Sequence, residues 1–188
     1  MQNAVPDGKG AMAAVLGLDA EKIEAAIAGI EGVSIANYNC PGQIVITGME
    51  GKCRAGRGSF KGCRSKTGTS VKRQWSISFS DVTGSGRTVK EVLDQIECSP
   101  LQIPYVTNVT GRYVSDIEET KELLIQQIAA PVRWQQSVEE MIRQGVDTFV
   151  EIGPGRTLSG FLRKINRDVK VYQVSTWEDI EKAGKELC

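Results

Sequence analysis

The chain has 188 residues, with 23 Lys and Arg against 23 Asp and Glu, so its formal net charge is zero. That length supports one domain with a sizeable core, or one plus a small subdomain, and the balanced charge gives no global field toward nucleic acid. No apolar run reaches the span of a bilayer and Met1-Gln2-Asn3 opens no signal peptide, so a cytoplasmic protein without a membrane partner is expected.

In chain order, "AVPDGKGAMAAVLGLD" gives a Gly-rich turn and then a small-residue apolar run, read as a buried strand. Asp19 stands where an N-cap belongs, ahead of "AEKIEAAIAGI", whose Ile23, Ile27 and Ile30 fall on one helical face, and Gly32 ends that helix. "VSIANYN" and "QIVITG" are β-rich segments separated by the turn signal "CPG", which predicts a hairpin. Strand, helix and paired strands begin a ferredoxin-like βαββαβ unit. A second helix and a last strand are then expected, but from Lys52 to Arg87 the chain turns to Gly, Ser, Thr, Lys and Arg without a clear period.

Order returns with "TVKEVLDQI", a helix carrying Val89, Val92, Leu93 and Ile96, then "IPYVTNVTG", a strand entering a turn. "DIEETKELLIQQIAA" reads as a helix stopped by Pro131, and "VRWQQSVEEMIRQG" as another closed by Gly145. "DTFVEIGPG" reads as a buried strand with a glycine turn, followed by helix "RTLSGFLRKIN", strand "VKVYQVS" and helix "WEDIEKAGKEL". Alternating strands and helices predict an α/β protein with a parallel sheet and helices on its faces.

The five cysteines (Cys40, Cys53, Cys63, Cys98 and Cys188) are odd in number and form no CxxC pair, so neither a disulfide framework nor a zinc site is suggested. The sequence has no histidine, which excludes His-based metal ligation and removes the commonest general base. "GPG" at Gly153 to Gly155 reads as a tight strand-to-helix turn; as an anion or nucleotide cradle it is a weak signal. Trp134 and Trp177 read as packing residues at helix starts, and Ser137, Ser159 and Ser175 lack the context of a nucleophile.

Five of these strings, "AVPDGKGAMAAVLGL", "IANYNCPGQIVITG", "IPYVTNVTG", "APVRWQQSVEEMI" and "GVDTFVEIGPGRTLSGFLRKI", together resemble the malonyl-CoA:acyl carrier protein transacylase family of fatty-acid synthesis, in its order and spacing and over its C-terminal part. The resemblance implies part of an α/β-hydrolase-like acyltransferase core with an inserted ferredoxin-like subdomain. Residues 1–10 would be a linker from the core, 11–75 the subdomain with its second helix and last strand scrambled, and 76–188 the C-terminal part of the core. It implies transfer of a malonyl group from coenzyme A to the phosphopantetheine thiol of acyl carrier protein, with no further cofactor; malonyl-CoA and the carrier are the partners.

In that family a serine in a GHSLGE elbow attacks, a histidine in an FHSP-type segment is the base, and an arginine binds the malonyl carboxylate. None of the three is found in this chain, so it is expected to be inactive as a transacylase. The resemblance places Gln127 as the glutamine supporting the histidine, while as plain sequence it is a polar residue on an amphipathic helix beside Gln126. Asn37 and Asn39 would line the substrate cleft or satisfy turn backbone at a strand end, and Asn108 would line the cleft or cap a turn.

The family's histidine segment belongs where "QWSISFSD" stands. One codon choice for Trp75 to Asp81, read one base later, spells GPFHSP, the family motif, although only its glycine is compelled. A local frameshift opening near Gly51 or Lys52 and restored near Thr88 accounts for the composition change, the missing helix and the missing histidine. Two other readings stand beside it: a plain surface loop, and a basic loop for nucleic acid carrying Lys52, Arg54, Arg57, Lys61, Arg64, Lys66, Lys72 and Arg73. A non-catalytic module binding acyl carrier protein, an acidic partner met by Arg133 or Arg156, is the alternative function. In either case a parallel sheet without its upstream strands leaves apolar edges unpaired.

Overall fold

The computed structural model describes residues 10–49, 66–71 and 89–187. Four strands of the first half, β1 (Gly10–Leu16), β2 (Val33–Cys40), β3 (Gln43–Met49) and β4 (Lys66–Val71), make one sheet in the order β2-β3-β1-β4. Every neighbouring pair in it is antiparallel. Side chains alternate across a strand, and the apolar ones at Ala13 and Val15 of β1 and at Ile44 and Ile46 of β3 all turn to one buried face.

Helix α1 (Ala20–Ile27) closes that face with Ile23 and Ile27, one turn apart, packed among Leu18, Ile35 and Tyr38. Asp19 holds the N-cap position in an extended conformation but makes no capping bond; its carboxylate faces Lys22 Nζ at 3.3 Å instead. The β2–β3 hairpin turns at Gly42, whose φ of +71° only glycine adopts freely, and Gly42 O accepts from Gly17 N at 2.8 Å.

Strand β4 departs from the sequence reading, which left the last strand of this half scrambled. Lys66–Val71 pairs with β1 from Met12↔Val71 to Leu16↔Lys66. An edge strand is held by a main-chain ladder on one side only, which makes few demands on side-chain pattern. The remaining frameshift positions lie outside the described residues.

In the second half a helical segment described from residue 89 ends at Leu93, before the Ile96 to which the sequence predicts it. A two-stranded antiparallel ribbon follows, β5 (Tyr105–Val106) with β6 (Tyr113–Val114), turned at Gly111 with φ +65°. Helices α2 (Ile117–Gln126) and α3 (Trp134–Arg143) flank Pro131, and Gly145 at φ +94° closes α3. Then come β7 (Thr148–Ile152), α4 (Thr157–Ile165), β8 (Lys170–Val174) and α5 (Trp177–Leu187).

The expected parallel pairing is present, β7 with β8 in register from Thr148↔Lys170 to Ile152↔Val174. Two expectations fail here. β7 is not a buried strand, for Val150 is 42% and Ile152 82% exposed, and Trp177 is 70% exposed, its indole N–H donating to Glu181 at 3.0 Å rather than packing inward. An apolar strand is buried only when something covers it, and among the described residues nothing covers that face of β7. No helix among the described residues is long and apolar enough to cross a membrane.

Among the described residues a short main-chain bridge joins the halves, and Lys164 Nζ also donates to Gln43 Oε1 at 3.3 Å. Tyr38 N donates to Val132 O at 2.9 Å, and Val132 N donates to Ala36 O at 2.8 Å. Beside it the Arg133 guanidinium lies 5.3 Å from the centre of the Tyr38 ring, a cation–π contact.

Candidate functional site: a cleft between the first sheet and helix α4

Strand β2 slips its register against β3 on both sides of Asn37 and Tyr38, between Ile35 and Asn37 and again between Tyr38 and Cys40. Such bulges re-aim side chains and free backbone for other partners. Here the freed Ala36 and Tyr38 groups take the bridge to Val132, while Asn37 and Asn39, two residues apart, share one face of the strand.

Those two asparagines line a cleft of about 260 Å³ with Met12, Ala14 and Val45 of the sheet and Thr157 and Phe161 of α4. Both are half-buried. Each carboxamide offers two donors and an acceptor against an otherwise apolar wall. That combination suits an uncharged arm with its own amide groups, since a buried amide must pair.

The wall formed by α4 is fixed from below by Glu151 of β7. Its carboxylate accepts from Leu158 N at 3.1 Å, from Ser159 N at 2.8 Å and from the Ser159 hydroxyl. Partial burial works against the ionised form, but the Ser159 hydroxyl and the two backbone amides outweigh it and hold the Glu151 carboxyl below the usual carboxylate range. Two amides of this helix start, Leu158 N and Ser159 N, are thus taken by an internal acid, which weighs against the anion-cradle reading of "GPG". Gly153 at φ +136° and Gly155 at φ +95° make the turn.

Ser159 is engaged as a donor to Glu151. Ser137 donates to Arg133 O at 2.8 Å and Ser175 to Gly153 O at 2.8 Å, so all three hydroxyls serve backbone or helix starts.

At the floor of the first sheet, Tyr38 OH donates to Glu24 Oε1 at 2.6 Å. Burial first, and then the Glu24 contact, push the Tyr38 phenol up to about 12, with Arg133 opposing. Burial likewise raises the Cys40 thiol, against the opposing charge of Lys164, and so keeps it neutral and unreactive.

Of the residues singled out in the sequence, the structure brings Asn37 and Asn39 together. Asn108 and Gln127 do not line this cleft. Asn108 is exposed and its backbone carbonyl accepts from Arg133 N at 3.0 Å, which places it next to the bridge. Gln127 is exposed at the C-terminal cap of α2. Thr157 and Phe161 were missed, although their i, i+4 spacing after the glycine turn puts both on one face of α4.

Comparison with known proteins gives this geometry a context. A malonyl CoA-acyl carrier protein transacylase of Bacillus subtilis (strain 168) is 38% identical over 191 residues, covering 100% of this chain and 60% of its own length. The chain is homologous to part of the malonyl CoA-acyl carrier protein transacylases. A solved transacylase of this kind from Clostridium perfringens superposes with a TM-score of 0.92 at 34% identity, covering 100% of this chain and 60% of the other. A malonyl-transacylase solved in complex with a type II PKS acyl-carrier protein gives 0.92 at 31% identity, over 98% of this chain and 61% of the other. No protein-family model matches the chain. The fold is therefore that of the α/β acyltransferases, and this chain spans about three-fifths of the length of the transacylases it matches.

Proposed function

We propose that this chain is the substrate-cleft part of a malonyl-CoA:acyl carrier protein S-malonyltransferase, which receives the pantetheine arm of malonyl-CoA or of the carrier and transfers no malonyl group by itself. The observation that carries the reading is the cleft, where Asn37 and Asn39 face Thr157 and Phe161 across an apolar channel. A pantetheine arm is slender, uncharged along most of its length and carries two amides, which matches two carboxamides on one wall. The chain contains no histidine and no GxSxG segment, so it supplies neither the base nor the nucleophile of the family reaction. Gln127 and Asn108 would act only beside those missing groups.

The sheet order β2-β3-β1-β4 with α1 on one face supports a ferredoxin-like subdomain over residues 11–75, set against an acyltransferase core over 76–188. A cytoplasmic location fits the reading. A local frameshift over about 52–88 remains its explanation for the missing histidine, and sequencing the encoding DNA tests it: silent bases unable to spell GPFHSP one base out of register would dismiss it.

The partner side rests on Arg156, exposed and one residue before the cleft-lining Thr157, where an acidic carrier delivering its arm would meet it. Titration with holo acyl carrier protein should give association that weakens with added salt and weakens further in Arg156→Glu. Absence of binding at low salt would sink the carrier part of the reading.

A further inference from the structure

Strand β2 changes parity part-way along. Its buried residues are Ile35, Tyr38 and Cys40, spaced three and then two apart, whereas an unbroken strand keeps a spacing of two. The extra residue is Ala36: Ile35 pairs with Ile46 and Asn37 with the adjacent Val45, so Ala36 has no partner on β3. In a regular strand continued from Ile35, Asn37 and Asn39 would point into the core and Tyr38 and Cys40 away from it. The bulge reverses all four.

The groups that hold the bulge come from the second half of the chain. Val132 bonds both flanks of Asn37, its N–H donating to Ala36 O at 2.8 Å and its carbonyl accepting from Tyr38 N at 2.9 Å. The next residue, Arg133, is pinned by its own backbone, whose N–H donates to Asn108 O at 3.0 Å and whose carbonyl accepts from Ser137 N at 2.9 Å. From there its guanidinium lies 5.3 Å from the centre of the Tyr38 ring and makes no ion pair among the described residues. That contact, together with the Tyr38 bond to Glu24, exists only while the ring faces inward. We propose that Arg133 is a positioning residue of the cleft, which through Tyr38 holds the bulge at Ala36 and keeps the Asn37 and Asn39 carboxamides turned outward. Arg133 does not itself line the cleft. This role rests on the reading of that cleft as a pantetheine site, and it makes the second half of the chain aim the binding groups carried by the first.

The test compares the full chain with Arg133→Ala, Arg133→Lys, Tyr38→Leu and the control Ile27→Ala, a buried position on α1. Two readouts are taken: thiol labelling of Cys40, located by peptide mapping, and calorimetric titration with malonyl-CoA. Cys40 is fully buried, and the unbulged register would turn it outward, so it reports the bulge without any ligand. Arg133→Ala should speed Cys40 labelling beyond what its loss of stability in urea accounts for, and weaken malonyl-CoA binding about fivefold or more, the size of one partly desolvated cation–π contact. Tyr38→Leu, which keeps the charge of Arg133 and removes the ring, should match it on both readouts, and the double variant should lose little more. Arg133→Lys, which keeps a cation over the ring, should recover most of both. Ile27→Ala should label Cys40 only in step with its lost stability and bind malonyl-CoA as the parent does. Cys40 labelling in Arg133→Ala that merely tracks stability overturns the proposal, as does an affinity equal to that of a parent that binds. A parent that binds no malonyl-CoA refutes the pantetheine reading instead, and the Cys40 result then decides alone whether Arg133 holds the bulge.

Discussion

Replacing Glu151 by alanine removes the one acceptor that serves the start of α4, leaving Leu158 N, Ser159 N and the Ser159 hydroxyl without it. Loss of an ordinary N-cap acceptor costs about 0.5–2 kcal/mol, and an ionised acceptor with several donors stands at the upper end, so about 2 kcal/mol is expected. For a chain of this size each kcal/mol lowers Tm by about 2–4 °C, which predicts a fall of about 4–8 °C at neutral pH. The pH dependence follows from the depressed carboxyl. A group whose pKa is lower in the folded protein contributes its full stability above the unfolded value, 4.5, and loses it as pH falls below that value through the folded one. Urea denaturation of parent and Glu151→Ala should therefore show a gap that is wide at neutral pH and narrows well below 4.5. A gap of the same size at both pH values would show that the charge is irrelevant, and no gap at all would refute the capping role. Because Thr157 and Phe161 stand in the first two turns of α4, the same change should also loosen the cleft wall.

Tyr38→Phe loses the bond to Glu24 and should destabilise by about 1.5–3 kcal/mol, the range for a hydrogen bond to a charged group, as read by urea denaturation. The parent should also lose stability in alkali, because a phenol raised from 10.0 to about 12 keeps its proton in the fold while the unfolded chain gives it up. The Tyr38 share of that loss develops as pH rises from 10.0 toward 12 and should be missing from the phenylalanine variant, which keeps the share of Tyr172, also raised. Ile46→Ala, at a fully buried position under α1, should cost about 2–5 kcal/mol in the same assay and leave carrier binding intact when the protein is kept folded.

Where the sequence was informative, each element carried its own pattern. Ala13, Val15, Ile44 and Ile46 alternate with period two, Ile23 and Ile27 lie one helical turn apart, and Gly32 and Gly42 stand where the backbone needs positive φ. Strand β4 escaped because Lys66–Val71 is recruited by the backbone ladder of β1, and a ladder leaves no signature in side chains. The apolar run at β7 looked buried because composition reports what would prefer to be covered, not whether a neighbour is there; Val150 and Ile152 show the difference. In the site, Asn37 and Asn39 could be read as a pair from their spacing on β2, whereas their opposite wall arrives from α4, far along the chain. No local pattern announces that meeting of Asn39 with Phe161. It depends on the bridge at Val132 and on the Glu151 cap, both long-range contacts.

The most direct measurement is a calorimetric titration of malonyl-CoA into the purified chain, repeated on the Asn37→Ala/Asn39→Ala variant. Two amide partners at about 0.5–1.5 kcal/mol each predict saturable binding to the parent and a loss of about tenfold or more in the variant, with the fold unchanged. No saturable binding, or binding that ignores both substitutions, would contradict the assignment of this cleft.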